Sequence, residues 1–347
     1  MKVSIGVLAY NEENTIVSTI KQILLQDIFY LVGTEIELII IANGCTDNTV
    51  RTAEEELLKY KLKNFSYNVV NLKQAGKSNA WNEYVHTYSS RDSEYYVLVD
   101  ADIEFGSDNV VKRLIETLIE TSEANVAIDQ IRKDIEQQKK KSLFSYISLK
   151  LSASKKSSNY KAIAGSLYCV RGKIIRQVYM PTGLPVEDGF LRAMIVTDNF
   201  THLDDNSKIA IADDVCHYFQ AILSPLALYK HEKRLVIGTT INSIIYNHLW
   251  AAVKIGSIDA GEIVKDLNDD DKNWVASLVE RYRDESGFWL VPSRVSTRYV
   301  MNLIKSDRAI LKKLFLLPIA LGASFIMMLI TLDVNLFFRK NNGVGHW

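Results

Sequence analysis

The sequence predicts a doubly wound α/β sheet followed by helices and a C-terminal hydrophobic segment. Three observations carry that prediction. Strand-like and helix-like stretches alternate over the first 120 residues at a spacing of about 30 residues, the rhythm of parallel strands joined by crossover helices. Two of the strand-like runs, IELIII at 36–41 and YYVLV at 95–99, are almost wholly apolar, as strands covered on both faces are. Near the end, residues 314–332 run for 19 positions without a charge, about 28 Å of helix and close to the bilayer's hydrocarbon thickness.

The elements follow in order. KVSIGVL (2–8) reads as a strand, and Thr15 to Gln26 as a helix with Ile16, Ile20, Ile23 and Leu24 on one face. The second strand, 36–41, leads to a helix over 48–62. SYNVVN (66–71) is the third strand and Lys77–His86 the next helix. The fourth strand, 95–99, is followed by a helix over 107–121 with Val110, Leu114 and Leu118 on its inner stripe. From 130 to 161 nine Lys/Arg stand against Asp134 and Glu136, with the apolar, partly amphipathic SLFSYISLKL between basic clusters. AIAGSLYCVRG, LPVEDGFLRAMIV and KIAIADDVCHYF then imply a return to the first domain. Residues 226–300 have a helical pattern broken at Pro292. The expected division is 1–235, 236–304 and 305–347.

Composition narrows the function. Of the 347 residues, 48% are hydrophobic and 24% charged, ordinary for a globular chain. Lys+Arg and Asp+Glu are 41 each, which argues against nucleic acid as a partner, since such binders carry a strongly basic footprint. Three scattered cysteines form no disulfide framework, and a reducing compartment is expected. The opening MKVSIGVLAY has no long apolar run, so no signal peptide is expected.

In an open α/β sheet, ligands bind beyond the carboxyl ends of the strands. The polar clusters fall there: Ala9-Tyr10-Asn11-Glu12, Asn43-Gly44-Cys45-Thr46-Asp47, Gly76-Lys77 and Asp100-Ala101-Asp102. Each alone reads equally as a turn or a helix cap. Four on one rim read as a site. Asp100 and Asp102 point to the same side of an extended segment, and two such carboxylates suit a cation with oxygen ligands, Mg or Mn, that borrows further ligands from a phosphate. Ala75-Gly76-Lys77-Ser78 resembles the tail of a phosphate-binding loop, but Asn71 stands where that motif's first glycine belongs, and the P-loop assignment is rejected. Glu187-Asp188 offers paired carboxylates, one able to act as general base. The same pair also suits a helix N-terminus. His217 reads either as a metal ligand or as a core histidine. No Ser-His-Asp arrangement stands out.

Taken together, VSIGVLAYNEE, IIIANGCTDNT, AGKSNAWN, YYVLVDAD, AGSLYCVR and LPVEDGF, in that order, resemble the family 2 inverting glycosyltransferases with a GT-A fold. The resemblance covers roughly residues 1–235 and implies a doubly wound mixed sheet of the nucleotide-diphospho-sugar transferase type. It further implies that Ala9, Tyr10, Glu12 and Asp47 line the nucleotide pocket. Asn43 stands where the family often has an Asp near the base, and its amide can pair with uracil. Lys77 is implied near the nucleotide, Asp100 on ribose or metal, and Asp102, with His217, on Mg or Mn at the diphosphate. Asp188 is implied as the base on the acceptor hydroxyl, with Glu187 beside it. His231-x-x-Arg234-Leu235 departs from the Q-x-x-R-W motif of processive members, which favours a single-addition enzyme.

The apolar 314–332 run is compatible with a span, an in-plane anchor or a dimer helix. Lys305, Arg308, Lys312 and Lys313 precede it, while Arg339 and Lys340 follow. The heavier basic side places the catalytic part on the cytoplasmic face of a membrane, by expectation the bacterial inner membrane. The basic 139–156 stretch is a second candidate for anionic lipid. The expected partners are thus a nucleotide-sugar donor, a sugar or lipid-linked acceptor and a membrane, with products in glycolipids or cell-surface polysaccharide. Two other classes compete: a non-catalytic carrier-lipid or partner-binding protein of the same fold, and a sugar-nucleotide pyrophosphorylase. The second lacks its G-x-G-T-R-type loop here. The first is disfavoured by Asp100, Asp102 and Asp188.

Overall fold

Alternation along KVSIGVLA sets the first strand, β1 (Lys2–Ala9), between two cores. Val3, Ile5 and Val7 enter the core on one side, and Leu8 enters the other. Ser4 and Gly6 share the Leu8 side, where Tyr84 donates its hydroxyl to Ser4 Oγ at 2.9 Å. A side chain at Gly6 would strike the Tyr84 ring. A computed structural model describes residues 1–136, 161–256, 258–306 and 309–340 of the chain. The basic 139–156 stretch and the tail beyond 340 lie outside the described residues.

Strands β2 (Glu35–Asn43), β3 (Phe65–Leu72) and β4 (Tyr95–Asp100) run parallel to β1 in the order β3-β2-β1-β4. Their crossovers are α1 (Ile16–Leu24), α2 (Thr49–Leu57) and α3 (Lys77–Asn82), and α4 (Val110–Glu120) follows β4. β2 and β4 send alternate residues into both cores, Leu38 and Ile40 against Ile39 and Ile41, Val97 and Val99 against Tyr96 and Leu98. That two-sided burial is why these runs lack polar alternation. The helix expected over 77–86 is α-helical only to Asn82 and continues as a π turn over Glu83–Tyr88, which brings the His86 ring flat against Tyr179 with centroids 3.9 Å apart.

Beyond β4 the sheet is mixed. β5 (Glu104–Phe105), β6 (Val126–Lys133), β7 (Leu167–Arg171) and β8 (Ile209–Phe219) complete eight strands in the order β3-β2-β1-β4-β7-β6-β8-β5. β7 is antiparallel to both β4 and β6, so the parallel order suggested by strand spacing over the first 120 residues is interrupted after β4. β6 and β8 pair in parallel with a register shift between Ile128 and Gln130, which releases Asp129 from the ladder.

The short α5 (Gly172–Ile175) follows β7 at the edge where β4 begins, and α6 (Glu187–Val196) comes next. Then come α7 (Pro225–Ile255), α8 (Ala260–Asp270), α9 (Trp274–Ser286), α10 (Ser293–Lys305) and α11 (Ile310–Lys340). α7 begins with Pro225 in its first turn under a Ser224 cap, as Pro's fixed φ favours. It runs unbroken through 235, where the first expected division falls. Val236, Ile241, Val264 and Trp274 share one core with Tyr96 and Phe190. Pro292 marks the break before α10.

Candidate active site

Because β1 to β4 are parallel, Ala9, Asn43, Leu72 and Asp100 all end at one rim. The loops that follow are stitched to each other. Asn11, at φ 56, gives its N–H to Cys45 Sγ and accepts from the Thr46 N–H at 2.8 Å. The Glu12 N–H donates to Thr49 Oγ1 at 2.7 Å. Asp47 accepts from the Glu13 N–H at 3.1 Å and from the Thr49 N–H and hydroxyl at 3.0 and 2.6 Å. Burial opposes the Asp47 carboxylate, but these donors outweigh it and hold it below its usual range. Asp47 thus takes the first N–H of α2 from one residue before the N-cap, Asn48. Ala9 is buried, and Tyr10 is exposed on the rim.

Asn43 is buried, and its Oδ1 has no hydrogen-bond partner among the described residues. An unsatisfied buried carbonyl costs roughly 1–3 kcal/mol, a deficit that an incoming N–H donor would remove. Glu12 has its proton affinity raised, first by burial and further by Asp102 and Asp47, with the Thr15 hydroxyl opposing.

The centre of the rim is a three-group ion cluster. Lys77, opening α3, places Nζ 2.7 Å from Asp100 Oδ1 and 2.9 Å from Glu187 Oε1. Burial works against the ammonium, but the two carboxylates hold Lys77 charged, above its usual range. Asp100 is pushed up to about 6, chiefly by burial, against the pull of Lys77 and with Glu187 and Asp102 adding to the rise. Gly165 packs against this cluster: a Cβ there would sit 2.8 Å from Glu187 Oε1 and 3.3 Å from Lys77 Nζ.

Glu187 and Asp188 form the first turn of α6, where the helix dipole favours acids. Only Glu187 joins the ion cluster. Asp188 accepts the Gly189 N–H at 2.6 Å, and its other oxygen has no hydrogen-bond partner among the described residues. Burial, then Glu187, raise its proton affinity, and the Gly189 N–H, Lys77 and Arg234 partly offset that. The start of α6 is bolted to α7: Asn242 Nδ2 donates to Val186 O at 3.1 Å, Tyr246 donates to Gly189 O at 2.7 Å, and Gly238 lies so close to Val186 that any side chain there would collide.

Asp102 is exposed, and its carboxylate has no hydrogen-bond or ion-pair partner among the described residues. Its charge is felt at both Asp100 and Glu12. An oxygen donor left free beside other acids fits a hard divalent cation. No cluster of three or more potential ligands occurs among the described residues, so an ion there would take further ligands from a diphosphate. His217 is elsewhere engaged. Fully buried, it holds Asp129 through Nδ1 at 2.8 Å and Ser166 Oγ through Nε2 at 2.8 Å. A carboxylate only accepts, so Nδ1 carries a proton toward Asp129. Both ring nitrogens are in use. Ser166 in turn joins the rim by accepting the Asp100 N–H at its carbonyl, 2.8 Å away. Sequence reasoning missed this Ser166–His217–Asp129 chain. The available signal was an acid inside the apolar run VAIDQI.

The sequence model described as "Glycosyl transferase family 2" matches residues 4–179, just over half of the chain. The chain belongs to glycosyl transferase family 2. Its fold is that of solved GT-A glycosyltransferases. A mannosyltransferase from Pyrobaculum calidifontis, solved with GDP-Man and Mn2+, aligns with a TM-score of 0.52 at 15% identity, covering 98% of this chain and 88% of that one. TarS from S. aureus, solved with UDP, aligns at 0.46 and 18% identity, covering 98% and 92%. Glucosyl-3-phosphoglycerate synthase from Mycobacterium tuberculosis, solved with Mn2+, UDP-glucose and phosphoglyceric acid, aligns at 0.46 and 18%, covering 71% and 79%. No curated protein sequence matches. In this family 2 glycosyltransferase the matched segment includes the rim residues from Ala9 to Asp102 and ends before Glu187 and Asp188.

Proposed function

We propose that this family 2 glycosyltransferase moves a sugar from a nucleotide-diphosphate donor to an acceptor hydroxyl with inversion, and that Asp188 is the base. The observation that carries the reading is the division of labour between adjacent acids. Glu187 is spent on Lys77, which it shares with Asp100, while Asp188 keeps an uncommitted oxygen and a raised proton affinity. A base needs reach and a proton affinity near the working pH. Inversion follows if Asp188 takes the proton as the acceptor oxygen attacks the anomeric carbon in one displacement.

The donor side is supported residue by residue. The free Oδ1 of Asn43 offers an acceptor to a base N–H. Tyr10 presents an exposed ring beside it. Ala9, Glu12 and Asp47 shape the loops of the nucleotide pocket, and Asp100 with Lys77 lies where ribose and phosphate would arrive. Asp102 would hold Mg or Mn. His217 would join it only by giving up Ser166 or Asp129. When bound, such an ion supplies positive charge against the departing diphosphate. Lys77 adds a fixed positive charge from the protein itself. The acceptor is read as a sugar or lipid-linked hydroxyl at the cytoplasmic face of a bacterial inner membrane, in glycolipid or cell-surface polysaccharide synthesis. Supporting the membrane part, Ile310–Lys340 is long and apolar enough to cross a bilayer. The proposed division of the chain is 1–235 for transfer, 236–304 as helical support and 305–347 for attachment.

Asp188→Asn keeps size and hydrogen bonding but removes the base. Turnover is expected to fall at least a hundredfold, within the 10²–10⁴-fold range typical of such catalysis, with nucleotide affinity within about threefold of wild type. Product formation at the wild-type rate would remove Asp188 from this role.

A further inference from the structure

The last helix is two different surfaces in sequence. From Met327 on, Met327, Ile330, Thr331, Val334, Asn335 and Phe338 are buried as one stripe. Polar bonds fasten this half to the rest of the chain. Asp333 pairs with Lys233 at 2.6 Å and accepts the Tyr229 hydroxyl, and Asn335 Oδ1 accepts the N–H groups of Leu290 and Val291 at 2.8 and 3.3 Å. From 310 to 326 no residue is buried. Leu311, Phe315, Ile319, Ile326 and Leu329 recur at helical spacing on one exposed side, Leu311 at 82% and Phe315 at 78%. The stripe is about 27 Å long at 1.5 Å per residue, and an exposed apolar strip of that length marks an interaction surface.

α10 decides how that surface is used. It flanks the same stretch of α11. Leu303 and Ile304 line one open cavity with Ile310, Leu314 and Leu317, Lys313 donates to Ile304 O at 2.7 Å, and Arg298 reaches Met327 Sδ at 3.5 Å while pairing with Glu232. α10 also carries Arg294, Asn302 and Lys305. Were α11 to cross a bilayer upright, these groups would be drawn into hydrocarbon beside it, at a cost of several kcal/mol. Lying flat, α11 keeps α10 and α7 on its wet side and turns Phe315 and Ile319 outward. Lys305 and Lys312, exposed near the free end of the pair, suit acidic headgroups.

We propose that α10 and α11 form an in-plane docking surface for an anionic phospholipid bilayer, with α11 half-sunk along its Leu311–Leu329 side and not spanning. The proposal rests on the membrane-attached reading above and specifies its geometry.

The test uses the full chain, carrying a C-terminal epitope tag, added to vesicles of phosphatidylcholine alone or with 30% phosphatidylglycerol. Flotation should recover the protein with the acidic vesicles, and external protease should remove the tag. Phe315→Glu/Ile319→Glu should lower vesicle affinity at least tenfold. Lys305→Ala/Lys312→Ala, an independent and milder change, should lower affinity for acidic vesicles by about fivefold per lysine and leave neutral vesicles unaffected. UDP and GDP binding by the same variants, with Mn2+, should stay at the wild-type level. Loss of nucleotide binding by wild type would instead strike the transferase reading. A protease-protected tag would overturn the proposal in favour of a span. Equal vesicle binding by both variants would overturn it outright. So would a wild-type dimer without vesicle affinity that Phe315→Glu/Ile319→Glu makes monomeric.

Discussion

Replacing Lys77 by Met tests whether the rim is organised by charge. The substitution keeps the side chain's length and apolar stem and removes the ammonium that stands 2.7 Å from Asp100 and 2.9 Å from Glu187. Removing one partner of a buried ion pair costs about 3–5 kcal/mol. Asp100 and Glu187 are 24% and 12% exposed, so water and a captured proton soften the loss. About 3 kcal/mol is therefore expected at pH 8. The pH dependence gives the sign. Asp100 already sits at about 6 with Lys77 present, above the usual value of about 4 for an unfolded chain. Without Lys77 it rises further. A group that binds its proton more tightly when folded weakens the fold as pH climbs past its unfolded value, and the penalty fades as pH falls. The stability gap between wild type and Lys77→Met should therefore widen from pH 6 to pH 8, by up to about 1.4 kcal/mol per pH unit. Urea unfolding at the two pH values, analysed by linear extrapolation, measures it. A variant as stable as wild type at pH 8, or a gap that does not change with pH, would refute the reasoning.

Other consequences can be checked with the same preparations. Gly165→Ala drives a methyl into Glu187 and Lys77. Losing one charge-assisted hydrogen bond, at about 1.5–3 kcal/mol, should weaken nucleotide binding by roughly ten- to a hundredfold, read by titration calorimetry, with little change in melting temperature. Asp129→Ala strands His217 in a fully buried site and should cost about 3 kcal/mol in urea unfolding, whereas Asp129→Asn, which can still accept from Nδ1, should recover most of that.

Much of the rim was legible because strand ends are short-range features. Tyr10, Asn43 and Asp100 each directly follow or end an apolar run, Lys77 opens the helix after the third strand, and a parallel order brings such ends together without further information. The antiparallel β7 was not legible. LYCVR is five residues long, and an apolar pentapeptide carries no sign of its direction. Residue types alone did not separate Glu187 from Asp188, although the family resemblance implied Asp188 as the base: both sit in one helical turn, and what distinguishes them is the pairing of Lys77 with Glu187. Asp47 reads as a pocket residue and as a cap, and the structure shows its oxygens taken by N–H and hydroxyl donors. Asp129 and His217 lie 88 positions apart, and their meeting depends on the register shift in β6 and β8, which no local pattern encodes.

The long helix α7 touches both ends of the enzyme. Through Tyr229 and Lys233 it holds α11, and through Asn242 and Tyr246 it holds the turn that carries Asp188. Nine to seventeen residues of continuous helix separate those fastenings, about 14–26 Å. A rigid rod of that length acts as a ruler. With α11 resting on lipid, the reactive hydroxyl of an acceptor would have to reach a fixed height, so acceptors would be sorted by stalk length as well as by sugar identity.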